Sequence, residues 1–121
     1  KGQLVYTTLC GACHQPNGEG QEGLAPPLKN SEWVSGSKER LTRIVLQGMQ
    51  GPVEVDGKVY NLLMPGLAVL EDEQIASVLT YVRNSFGHTS SAISVAEVAK
   101  TRQATKNIDD LWTAPELLKV K

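Results

Sequence analysis

Cys10-Gly11-Ala12-Cys13-His14 gathers both cysteines of the chain and one of its two histidines into five consecutive residues. Paired thiols spaced in this way and followed at once by an imidazole are the pattern that attaches a haem covalently. On one tight turn each thiol can add to a vinyl group of the ring, and the residue after them is held beneath the iron to donate a nitrogen. Two other chemistries use paired cysteines. A thioredoxin-type dithiol wants a βαβ context, whereas Cys10 follows only a short helical-looking stretch. A structural zinc site needs about four ligands, and the other histidine, His88, stands alone. The motif therefore points to haem; zinc or a bare dithiol would leave the protein without a Soret band.

A flat apolar group would also remedy a shortage. The 121 residues include one Phe, two Trp and three Tyr, a thin supply of large apolar side chains for a core. A chain of this length is most simply one domain with a core of its own. Its formal charge of −1 gives no basic face for nucleic acid, and neither end is a charged tail. No apolar run approaches the ~18 residues of a membrane span, and no signal peptide is evident. With the motif so near Lys1, the chain reads as a processed protein or as a domain of a larger one.

Helical spacing is the main signal along the rest of the chain. Residues 2–9 read as a short helix with Gly2, Tyr6 and Leu9 on one face, followed by a Gly-rich loop from Gly11 to Gly23 and an extended Pro26-Pro27 segment. Ser37 caps a helix to about Gln47, with Leu41, Ile44 and Val45 inward and Gly48 as its left-handed terminator. Residues 53–60 form a small hairpin around Asp56-Gly57, too short to stand without support. The strongest stripe, Ile75, Val78, Leu79, Val82 and Phe86, predicts a helix from Asp72 to Phe86 that ends at Gly87. Glu71 with Gln74, and Leu70 with Ile75, mark its start. Two more capping boxes follow: Ser94 with Glu97, opening a helix to about Thr105, and Thr113 with Glu116, which has Pro115 in its first turn. The tail is thus expected to fold as two short helices packed on the core.

Iron held by His14 on one side needs a partner on the other, and that partner separates electron transfer from ligand binding. Met49, Met64 and His88 are the candidates. Met64 lies in a non-regular Met64-Pro65-Gly66 stretch that can carry its thioether to the far face of the ring. Met49, beside a helix end, is expected to fill a packing gap, and His88 to be a solvated surface residue.

With the cysteine motif at one end, a Met-Pro loop fifty residues after the histidine and an amphipathic helix behind it, residues 1–87 resemble the class I cytochromes c. Gly18-x-Gly20, Ala25-Pro26-Pro27-Leu28 and the segment from Ile75 to Arg83 look like bacterial members. The resemblance implies an all-α fold around one covalently bound haem c, in which the first helix crosses the long one, with Gly2 and Tyr6 against Tyr81. It implies that the Pro26 carbonyl accepts the His14 Nδ1 hydrogen, where the plain reading is an extended connector. It also offers Trp33, Tyr60 and Asn61 as polar contacts to haem propionates or the methionine sulfur, beside ordinary roles as core filler and hairpin ends, with Arg43 and Arg83 ranked behind them.

Two departures stand out from the small-cytochrome pattern: the hairpin before the methionine loop, and residues 88–121, read as a helical extension of a core at 1–87. Phe86-Gly87-His88, Ile93-Ser94 with Glu97-Val98-Ala99, and Thr101-Arg102 look like strings in cytochrome domains that accompany bacterial dehydrogenases and oxidases. The resemblance implies an electron carrier rather than an enzyme, at the periplasmic or outward-facing side of a bacterial membrane, whose partners are a dehydrogenase, an oxidase or a membrane complex. The alternative is a gas sensor or peroxidase-like domain with an openable sixth site. In five-coordinate gas-binding cytochromes, however, the haem motif lies near the C-terminus.

Overall fold

A computed structural model describes residues 2–21, 25–61, 63–108 and 110–120, with the side chains of Ala12 and Cys13 outside that description. The chain opens with α1 (Gly2–Val5), widens into a π-helical turn over Tyr6–Cys10 and continues as α2 (Gly11–His14). A β-carbon on Gly2 would run into the Ser77 carbonyl and the Tyr81 side chain of the long helix. Only glycine permits that close crossing. The expected inner face was only partly right. The wide turn, closed by the Gly11 N–H on the Tyr6 carbonyl, inserts an extra residue into the period; Leu9 is left 42% exposed, and Cys10 packs against the core in its place. The glycine-rich loop also starts later than its composition suggested. Helix runs through the cysteine motif to His14, and Gln15, at φ 71°, ends it.

The loop folds back under α2. Gly18 accepts the N–H groups of Leu28 and Lys29 at 2.7 and 2.9 Å, and the Gly20 N–H donates to His14 O at 2.9 Å. Gly20, at φ 73°, lies so close to the Pro26-Pro27 backbone that a β-carbon would clash, and this apposition sets the Pro26 carbonyl beside α2. Then come α3 (Glu32–Ser35), which the sequence reading did not anticipate, and α4 (Lys38–Gln47). Each has a serine cap: Ser31 Oγ accepts the Trp33 N–H at 3.2 Å and Ser37 Oγ the Arg40 N–H at 3.1 Å. Leu41, Ile44 and Val45 turn inward as expected, together with Thr42 and Leu46. Gly48 has a positive φ, 82°, but a ψ of 178°, so it turns the chain into a strand rather than forming the expected left-handed cap.

Two small antiparallel ladders follow. β1 (Gly48–Met49) pairs with β4 (Met64–Pro65), and β2 (Pro52–Val55) pairs with β3 (Lys58–Asn61). The β2–β3 hairpin turns at Asp56 and Gly57, both at positive φ, as a two-residue primed turn requires. Val53 and Val55 bury its inner face against Ala114, with Trp33, Met49 and Tyr60 around them. This supplies the support the hairpin needs. The stretch holding Met64, expected to be irregular, is a strand because β1 lies alongside it.

The long helix, α5 (Asp72–Arg83), starts as expected, with Gln74 Oε1 accepting the Glu71 N–H at 2.9 Å. It ends three residues earlier than the stripe suggested. Ser85 and Asn84 side chains take the Tyr81 and Thr80 carbonyls at 2.6 and 3.1 Å, and Phe86 at φ 55° reverses the chain. Its ring still reaches the core, 5.3 Å from Tyr6 and 6.0 Å from Tyr81. The tail carries α6 (Val95–Ala104) and α7 (Ala114–Leu117), both opened by complete capping boxes. Ile93, Val98 and Leu117 are buried, which fastens the tail to the body. Among the described residues no helix is long and apolar enough to cross a membrane.

Glu97 joins the start of α6 to α4. Its carboxylate takes the Ser94 N–H at 2.9 Å and the Lys38 ammonium of α4 at 3.3 Å. The Ser94 N–H above all, and Lys38 after it, hold this carboxyl below its ordinary value. A depressed carboxyl stabilises the fold above its unfolded pKa of about 4.3, and the contribution fades as pH falls through the folded value. In thermal melts, Glu97→Gln should flatten the stability-against-pH curve below about pH 5. Curves that stay parallel for the two proteins would contradict this.

Candidate functional site

The Cys10-to-His14 helix, the Pro26–Leu28 loop, α4, α5 and both ladders line one cavity with almost wholly apolar walls, the kind of lining that cofactor sites have. His14 looks into it and is 8% exposed. Its Nδ1 lies 2.8 Å from the Pro26 carbonyl. Since a carbonyl can only accept, Nδ1 carries the hydrogen, and the Nε2 lone pair is left for a metal. Burial lowers the His14 pKa, and the Pro26 bond opposes it only in part. The ring is therefore neutral near pH 7, the state in which imidazole ligates.

Cys10 lines the same cavity. Cys13 follows on α2, and its side chain lies outside the described residues. Two methionines line the cavity as well. Met49 and Met64 are direct cross-strand partners on the β1–β4 ladder, so both side chains leave the same face, and both line the cavity. Nothing local in the sequence shows that a strand fifteen residues away will set Met49 beside Met64. His88 is half-buried, not solvated. Its Nε2 donates to Leu28 O at 2.8 Å and it is absent from the cavity wall.

Trp33 forms part of the wall, with Nε1 donating to Glu54 O at 2.8 Å and the Arg40 guanidinium 5.6 Å over the ring. Tyr60 sits in the hairpin cluster under the Lys58 ammonium and Asn61 is exposed; neither lines the cavity. Arg43 pairs along α4 with Glu39 at 3.4 Å. Arg83 is buried and binds backbone carbonyls elsewhere. Tyr6, which the sequence placed only at the helix crossing, also lines the cavity. Its hydroxyl donates to Gln15 O at 2.6 Å, and burial, with Cys10 and Tyr81 nearby, keeps it protonated well above its usual range.

A neutral buried imidazole with its Nδ1 fixed, a thiol one helical turn before it and two thioethers lining the same apolar cavity fit an iron macrocycle. These features define the class: a small helical protein that carries haem by covalent attachment. Residues 1–86 match the family model for cytochrome c, and the chain belongs to the cytochrome c family, with haem c as its cofactor. It is 42% identical over 90 residues to cytochrome c-552 of Thermus thermophilus, covering 71% of this chain and 68% of that protein. A fructose dehydrogenase cytochrome subunit of Gluconobacter japonicus is 28% identical over 115 residues, 88% of this chain and 23% of the subunit. A cbb3-type cytochrome c oxidase subunit CcoP of Azospirillum brasilense is 32% identical over 94 residues, 72% of this chain and 28% of the subunit. The chain therefore spans only about a quarter of either complex subunit.

Proposed function

We propose that this chain passes single electrons between protein partners, with haem attached at Cys10 and Cys13 and its iron held between His14 and Met64. This reading is supported by His14, oriented by Pro26, and Met64 on β4 both lining one apolar cavity. When bound, haem c supplies a one-electron ferric–ferrous couple. His14 supplies a neutral nitrogen, and Met64 a soft neutral sulfur that favours the reduced metal. The aliphatic walls from Val78, Leu79 and Val82 exclude water and disfavour the extra positive charge of the oxidised form. Trp33 belongs to this wall, whereas Tyr60 and Asn61 act in the hairpin. Residues 88–121 extend a core at 1–87 within one domain.

Two relatives are named as subunits of a dehydrogenase and an oxidase, which supports a relay role beside larger redox proteins on the outward side of a bacterial membrane. Leu63 and Val69, on either side of Met64 in the chain, are 60% and 89% exposed and offer an apolar approach to the ligand strand. With a formal charge of −1, strong electrostatic steering is not expected. Electron-transfer rates with a redox partner should change little as ionic strength is raised; a steep fall would contradict apolar docking. Carbon monoxide tests the reading as a whole. The reduced protein should bind none near neutral pH, and ready binding would favour the gas-sensing alternative.

A further inference from the structure

We propose that Arg102 of α6 is a positioning residue for Met64: its guanidinium clamps the chain just beyond β4 and so holds the thioether at the iron. The inference rests on Met64 being the iron ligand. Arg102 Nη1 donates to Ala68 O at 2.8 Å, Nη2 to Leu70 O at 2.7 Å and Nε to Asp72 Oδ1 at 2.7 Å. All three edges of one planar fork are thus engaged by the stretch four to eight residues after Met64. Of residues 66–70, Leu67 and Leu70 pack against the core. Gly66, Ala68 and Val69 are exposed, and a loop with few buried side chains opens readily unless its backbone is bound. The body of the protein holds one side, through Leu67 N–H to Val45 O at 2.7 Å and the β1–β4 ladder. Arg102 holds the other.

The tail reaches the same ladder a second time. The Trp112 N–H donates to Gly48 O at 3.0 Å, and the Gln50 N–H to Trp112 O at 2.8 Å. The Trp112 indole donates to Gln47 Oε1 at 2.9 Å, and Gln47 Nε2 to Thr105 Oγ1 at 2.9 Å. Strand β4 is therefore backed by β1, which is backed by the tail, while Arg102 fastens the loop's exit. A lone ion pair with Asp72 would need one nitrogen. The two further bonds to carbonyls fix the position of the backbone and demand a flat, forked cation, which lysine does not provide.

The test uses the full haem-loaded chain and reads the methionine bond directly, through the sulfur-to-iron charge-transfer band of the oxidised form and the rate of carbon monoxide binding to the reduced form, well below the melting temperature. Arg102→Ala should weaken the band and raise carbon monoxide binding by at least on the order of tenfold, and Arg102→Lys should restore it only in part. Val98→Ala, on the buried face of the same helix, should lower the melting temperature and leave both readouts alone. The clamp is refuted if Arg102→Ala binds carbon monoxide no faster than the parent, or if Val98→Ala produces the same opening. Met64→Ala separates the two layers of the argument: a band that survives it refutes the ligand assignment, whereas its loss beside an unchanged Arg102→Ala protein refutes the clamp alone.

Discussion

Met64→Ala should lower the reduction potential by a sizeable part of the ~0.8 V that axial ligands span and give a reduced protein that binds carbon monoxide. The expectation follows from what is lost: alanine offers no donor, and the favour that a neutral sulfur gives the reduced metal disappears with it. Met49→Ala is the informative comparison, because the two residues face each other on the β1–β4 ladder and line the same cavity. Met49 belongs to the cluster of Val53, Val55 and Ala114 and is half-buried. Its removal should cost ~2 kcal/mol, the low end for methionine truncation, with the potential nearly unchanged. Equilibrium redox titration and denaturant melts of both variants decide between them. If Met49→Ala shifts the potential and Met64→Ala only the stability, the ligand is Met49.

What could be read in the sequence was what depends on neighbours in the chain. The Asp56-Gly57 turn and the three capping boxes each involve residues within a few positions of one another, and each is formed as expected. What escaped depends on partners far along the chain. Whether Leu9 or Cys10 faces inward is decided by the π turn over Tyr6–Cys10, which composition does not announce. β1 and β4 carry no strand signal of their own and form as each other's partners, with β1 continuing directly from α4 and backed by Trp112. His88 read as solvated because nothing nearby shows that Leu28 O will meet it. The buried arginine followed the same pattern: Arg83 read only as a low-ranked polar contact to the haem, since the carbonyls that bind it come from Val34, Gly36 and Ser91, far along the chain.

Those carbonyls give Arg83→Ala the largest expected effect on stability. The side chain is 4% exposed. Its Nη1 donates to Val34 O at 2.8 Å and to Gly36 O at 3.0 Å, and its Nε to Ser91 O at 2.8 Å. One guanidinium thus ties the end of α5 to the exit of α3 and to the segment that leads into α6. Truncation removes a buried cation together with its bonds and leaves acceptors in a space that water reaches poorly, at a cost of about 3–5 kcal/mol. In a chain of this size that is a fall in melting temperature on the order of 10–20 °C. Arg83→Lys should recover only a fraction, because an ammonium cannot span three acceptors in one plane. Arg83 is absent from the cavity wall, so the absorption spectrum and reduction potential of the folded variant should match the parent. A loss below about 1 kcal/mol, the scale of one ordinary hydrogen bond, would mean that water replaces the guanidinium and that α3 and the tail stay in place without it.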